Sequence, residues 1–267
     1  MRSGNLPALL AHLRIVVRTS ALALAALLVA GAAPAGAMST FFAQNIEPDP
    51  TPAYASPAAA EAAFIGMLGG ASDTEDFEGF MDGDHGPLNL FQGGAVTGVL
   101  SDSVDDGGTV RMAVLDDAGN RGFPISTDHF WKNETTSDMT NELFRVTFSE
   151  EVLSFGFYAT AWSTQSTVGA TALVLELIPD GGGGSTFISI DHNQAGDLEG
   201  SIFYFGVIAD APFIAAALRN STEINPGDRI GFDDFTVAIV PEPSTGLLLS
   251  AGLLGLAAIG RRRVRLA

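Results

Sequence analysis

The chain has no cysteine, two tryptophans, three tyrosines and only 13 lysines and arginines in 267 residues. Without cysteine there are no disulfide scaffolds, thiolate zinc sites, iron–sulfur centres or cysteine nucleophiles. The shortage of basic residues argues against binding a nucleic-acid backbone, which needs clustered Lys and Arg. Charged residues make up 16% of the chain, against an ordinary share of about 25%. Walker A, Gly-x-Ser-x-Gly and His-Glu-x-x-His sequences are all missing, so no motif with catalytic mechanics speaks for an enzyme. The body's three histidines, His85, His129 and His192, are not at metal-motif spacing from one another.

What is present is segregated. The chain holds 31 acidic residues; its two ends carry seven arginines and one acid, Glu242, which leaves 30 acids against 6 bases over residues 38–240. Basic, apolar ends around an acidic body read as address segments around a product. At the N-terminus, Arg14 and Arg18 precede an apolar run, Ala21–Ala33, and then Ala35-Gly36-Ala37. This order predicts a signal peptide over 1–37, cut by signal peptidase between Ala37 and Met38. Pro34 and Gly36 would break a helix that continued as an anchor.

At the C-terminus, Pro241-Glu242-Pro243 is followed by an apolar stretch, 245–260, and by Arg261-Arg262-Arg263. The stretch is near the short end of the roughly 17–25 residues that span a bilayer. The arginines would keep that end cytoplasmic. Pro241-Glu242-Pro243, helix and arginine cluster together resemble the PEP-CTERM sorting signal of Gram-negative bacteria, over about the last 27 residues. The resemblance implies an exosortase as partner, transient anchoring in the inner membrane, and release or re-anchoring at the cell surface or in an extracellular polysaccharide matrix.

Between the ends, residues 38–55 contain Pro48, Pro50 and Pro52 and read as a linker or an edge strand. Ser56-Pro57 then predicts a helix start, with serine as cap and proline at the first helical position. Ala60, Phe64, Met67 and Leu68 are placed on one face, and Gly69-Gly70 ends the helix. From residue 76 the pattern turns strand-like. Strands are expected at 95–100, 108–115, 143–149, 152–160, 170–178, 186–191, 201–209, 212–218 and 230–239, separated by clusters such as Asp105-Asp106-Gly107-Gly108. Many short strands and little helix predict an all-β, jelly-roll-like β-sandwich over 56–240.

Asp76-Phe77-Glu78 near the start of the sandwich and Gly231-Phe232-Asp233-Asp234-Phe235 in its last strand resemble galactose-binding-like and MAM-type jelly-rolls. In those domains acids from the first and last strands meet at a structural calcium. The resemblance implies Glu78, Asp233 and Asp76 as ligands. Asp234 is a fourth candidate: neighbours on a strand face opposite sides, so only one of the two aspartates can point inward, and a cation would resolve the cost of an unpaired inward carboxylate. Asp82-Gly83-Asp84 begins like an EF-hand loop, but Pro87 stands where glycine is required, and an acidic turn is expected instead.

Trp131 and Trp162, with Tyr158, lie in polar sequence and make a candidate sugar-stacking platform, the alternative being core positions. The sequence therefore predicts an exported, non-catalytic surface or matrix protein whose sandwich binds polysaccharide or simply decorates it. The competing expectation is a polysaccharide-active hydrolase using two carboxylates.

Overall fold

The computed structural model of the protein describes residues 37–46, 54–69, 72–101, 112–115, 122–134, 142–160, 173–191, 201–220 and 229–238. The signal peptide, the 245–260 helix, Trp162 and His192 lie outside the described residues. Residues 37–240 form one compact unit.

Among the described residues, alternating apolar positions produce eleven strands, all paired antiparallel. They are β1 (Ser39–Asn45), β2 (Asp73–Glu75), β3 (Leu88–Leu90), β4 (Gly98–Ser101), β5 (Met112–Leu115), β6 (Phe130–Glu134), β7 (Glu142–Thr160), β8 (Leu173–Ile178), β9 (Thr186–Ile190), β10 (Ile202–Asn220) and β11 (Arg229–Ala238). One helix, α1 (Ala55–Leu68), follows β1.

Two long strands organise the domain. The first half of β7 pairs with β4 and with the second half of β10, which continues to β8 and β9. The second half of β7 pairs with β11 and with the first half of β10, which continues to β1. β11 is flanked by β6 near its start and by β2 near its end. The result is a sandwich of two layers that share bent strands. Sequence reading places breaks near Glu150-Glu151 and Ala209–Ala211. The chain instead bends there without leaving the ladder, and a register shift between Ile208 and Phe213 absorbs the extra residues.

The rings between the layers come from both halves of β7. Phe144 lies 5.3 Å from Phe157, 5.0 Å from Phe232 and 5.0 Å from Phe235, and all four are fully buried. Edge-to-face contacts of this kind add to the apolar burial.

A second, smaller cluster lies under α1. Phe64 and Leu68 of the helix meet Tyr158, Tyr204 and Ile202. Phe64 rests on two glycines, Gly156 and Gly206, which are partners across β7 and β10. A Cβ on Gly206 would come 2.8 Å from the Phe64 ring, and one on Gly156 would come 3.0 Å from it.

The helix departs from expectation at two points. It begins at Ala55 after Tyr54, with no side-chain cap, so Ser56 is inside the first turn. Met67 is 66% exposed; the buried line is Pro57, Phe64 and Leu68, the 3–4-residue repeat of a single face. Gly69 ends the helix in a left-handed turn, as its sequence predicts. β2, β3 and β6 are additions to the strands read from the sequence. The 38–55 segment supplies an edge strand at β1.

Candidate functional site

Asp76, Glu78, Asp233 and Asp234, the four expected acids, gather at one end of the domain around the segment 125–129. Asp233 and Asp234 sit at a β-bulge in β11. Asp233 stands opposite Tyr158 and Thr236 opposite Gly156, so three steps on β11 match two on β7. Asp234 takes a left-handed backbone, φ 49°, which aspartate tolerates better than most residues. The extra residue lets Phe232 and Phe235 both reach the core. Simple alternation between Asp233 and Asp234 therefore fails here.

Asp233 is fully buried. Its Oδ2 accepts the Ile125 amide at 2.7 Å, the Ser126 amide at 3.1 Å and the Ser126 hydroxyl at 3.1 Å. Its Oδ1 accepts the Asp234 amide at 2.8 Å. Glu78 takes the rest of the segment. Its Oε1 accepts amides from Thr127 at 3.0 Å, Asp128 at 2.6 Å and His129 at 3.0 Å, and the Ser126 hydroxyl at 3.2 Å. Its Oε2 lies 3.2 Å from His129 Nδ1. The two carboxylates act as a clamp on five consecutive residues.

The electrostatics differ across the clamp. Burial pushes Glu78 upward, but the Asp128 and His129 amides outweigh it and hold the carboxyl down at about 2. Burial dominates at Asp233 and pushes it up to about 7 against its hydrogen bonds. Asp234 is pushed up to about 8, by burial first and then by Asp233, Glu61, Asp76 and Glu78. Tyr158, whose hydroxyl donates to Glu61 at 2.7 Å, is held above its ordinary value by burial and by that bond.

Calcium is the ion this acid set would suit by composition, since it takes six to eight oxygens. As arranged, the residues do not fit it. The oxygens of Glu78 and Asp233 point at backbone N–H groups, whose partial positive charge repels a cation. Among the described residues, no three acidic or imidazole side chains form a ligand set. The Asp82–Asp84 segment is a turn in which Asp84 Oδ2 accepts the Met81 amide, with Gly83 and Asp84 bonded to Val114 of β5.

The aromatic platform needs correction. Trp131 lies in β6, between β5 and β11, fully buried in the main core. Tyr158 is buried under α1. Neither presents a face to a sugar. For Trp131 the core alternative holds, and its polar neighbours Lys132 and Asn133 are buried as well, Asn133 donating to the Leu143 carbonyl.

A concavity lies elsewhere. A cavity of about 360 Å³ opens beside β2, lined by Asp73, Glu75 and Asp76 on one side and by Phe80, Asn89 and Gln92 on the other. Glu75 holds both walls: its Oε1 accepts the Phe77 amide at 3.2 Å and its Oε2 the Phe91 amide at 2.9 Å. Phe77 and Phe91 both have left-handed backbones, φ 59° and 56°, an uncommon state for bulky residues. Sequence reading missed this cavity, although the acid run Asp73–Glu78 marks one wall.

Comparison with curated proteins finds no match. Among solved structures the chain is similar to the CBM22-1 xylan-binding domain of Xyn10C from Paenibacillus barcinonensis, at 12% identity and TM-score 0.33, over 62% of this chain and 92% of that one. It is similar to the C-terminal family 22 carbohydrate-binding module of Xyn10B from Clostridium thermocellum, at 12% identity and TM-score 0.32, over 62% and 91%. It is also similar to TmCBM61, solved with β-1,4-galactotriose, at 14% identity and TM-score 0.28, over 61% and 93%. Likeness at this level transfers neither ligand nor site. The match that carries weight is in the tail: residues 240–263 are a PEP-CTERM protein-sorting motif, and that motif implies export with membrane-anchored sorting.

Proposed function

We propose that the protein is an exported, exosortase-processed component of the cell surface or extracellular matrix, whose acidic β-sandwich binds polysaccharide without cleaving it. The observation that carries the reading is the sorting motif at 240–263, which begins two residues after β11 ends at Ala238. The signal-peptide pattern of 1–37 completes the route, with signal peptidase as the first processing partner. With 30 acids against 6 bases, the body repels its own copies at low salt and disfavours polyanionic partners.

A hydrolase would need two carboxylates flanking a cleft, one of them held protonated. Glu75 lines the cavity and burial raises it, but both of its oxygens accept the amides that hold the walls. That engagement favours binding over catalysis.

The test of the route is fractionation of the producing cells. Wild-type protein is expected at the surface or in the medium, shortened at its C-terminus. A Pro241→Ala, Glu242→Ala, Pro243→Ala chain is expected to keep its C-terminal tail and stay in the inner membrane. Normal release of that variant would contradict exosortase processing.

A further inference from the structure

The cavity beside β2 is assigned to no ligand by anything above, and its chemistry is specific. Its ten lining residues supply three carboxylates, two carboxamides, one hydroxyl and two rings, and no basic group. Hydrogen-bond acceptors are in excess, so the matching ligand is rich in donors. A ligand carrying a carboxylate or phosphate would meet like charge at every acid.

The acceptors are not all used inside the protein. Asp73 spends Oδ2 on the Ala95 amide at 3.0 Å, and Asp76 spends Oδ1 on the Glu78 amide at 3.2 Å. The second oxygen of each has no protein hydrogen bond among the described residues, and neither does the exposed Asn89 carboxamide. Gln92 donates to the Asn89 carbonyl at 3.2 Å, which leaves its side-chain oxygen as an acceptor. Phe80 is half-buried, leaning on Phe77 at 6.0 Å, with part of its ring at the cavity.

Polar acceptors grouped at the edge of an aromatic ring suit a pyranose, whose hydroxyls donate while its C–H face lies on the ring. The volume is within the range of about 300–1,000 Å³ of small-molecule sites. The walls are held in place beforehand: one carboxylate, Glu75, ties the left-handed Phe91, which lines the cavity, to the left-handed Phe77 behind it. Backbone held in uncommon conformations by surrounding structure is a feature that concentrates at ligand sites.

We infer that this cavity is a saccharide subsite that takes one uncharged pyranose residue and rejects uronic acids. The inference deepens the polysaccharide-binding reading and rests on it for the natural ligand.

The test is saturation-transfer NMR on the body, residues 38–240, both of whose hydrophobic clusters close within it. The probes are glucose, galactose, mannose and xylose, with glucuronate and galacturonate as charged counterparts. Saturation of at least one neutral sugar is expected, with none for the uronates. Asn89→Ala, at an exposed strand position, is expected to weaken binding about tenfold, the scale of one lost hydrogen bond. Phe80→Leu, which keeps bulk without the ring face, is expected to do the same. No saturation by any neutral sugar overturns the assignment. So does equal saturation by uronates, or binding that survives both substitutions. If the body binds the producer's polysaccharide while no neutral sugar saturates it, the subsite fails and the broader reading stands. If the subsite saturates while the polysaccharide is not bound, the subsite stands and the broader reading fails.

Discussion

The carboxylate of Glu78 accepts the backbone amide of Asp128 at 2.6 Å across 50 residues of sequence. Two acidic residues thus meet through a backbone N–H group. Thr127 and His129 amides join the same oxygen, and Asp233 holds Ile125 and Ser126. Charge-assisted bonds of this type are worth about 1.5–3 kcal/mol each. Glu78→Gln is therefore expected to lower stability by about 2 kcal/mol or more, measured by urea unfolding. Because backbone amides take up the Asp233 and Glu78 oxygens, adding calcium to chelated wild type at pH 6 is expected to leave Tm within about 2 °C. A larger rise that Asp233→Ala abolishes would put calcium at these acids.

The same acids set a pH profile. Asp233 and Asp234, at about 7 and 8 in the folded protein against 3.8 unfolded, hold protons that the unfolded chain releases. Their effect makes stability fall as pH rises from about 4 through 8. Glu78, at about 2 against 4.5, has the opposite sign. Its contribution is present above about 4.5 and is lost as pH falls through 2. With these three groups together, chelated protein is expected to be most stable just below about pH 4 and to lose stability steadily towards pH 8. Asp234→Asn is expected to flatten the decline towards pH 8, as read by thermal melts across the range.

The helix seat makes a separate prediction. A methyl group on Gly206 would press on the buried Phe64 ring at 2.8 Å and on Tyr204 at 3.1 Å. Overpacking of this kind costs about 1–3 kcal/mol. Gly206→Ala is expected to destabilise by that amount. Combined with Phe64→Ala, it is expected to cost less than the two single changes added, because the clash is gone. Strict additivity would mean that Gly206 matters for another reason.

In the main core, Phe144 touches rings from β7 and β11 alike. Phe144→Ala is expected to cost about 3–5 kcal/mol. Thr147→Ala, on the exposed side of the same strand, is expected to stay within about 0.5 kcal/mol. Similar losses at both positions would contradict the two-layer arrangement.

The sandwich was legible because its strands alternate: Leu173, Leu175 and Leu177 share a buried face as their spacing predicts. The meeting of Glu78 with Asp233 was legible as well, through the acids at both ends of the fold. What they hold was not, because the donors are backbone amides of 125–129, and an amide leaves no letter in the sequence. β6 was hidden for a different reason. Lys132 and Asn133 are polar residues at buried strand positions, so the letters around Trp131 leave a surface ring and a core ring both open. The long strands were read as broken at Glu150-Glu151, where a bend keeps the charges outside. The cavity is built from two segments, 73–80 and 89–94, whose approach depends on the tertiary fold.

The central claim, polysaccharide binding without cleavage, is tested most directly by co-sedimenting residues 38–240 with the producer's own extracellular polysaccharide while following the polymer's length. The account predicts that the protein pellets with the polymer, with and without calcium, and that the polymer keeps its length. A shortened polymer, or protein left entirely in the supernatant, would contradict it.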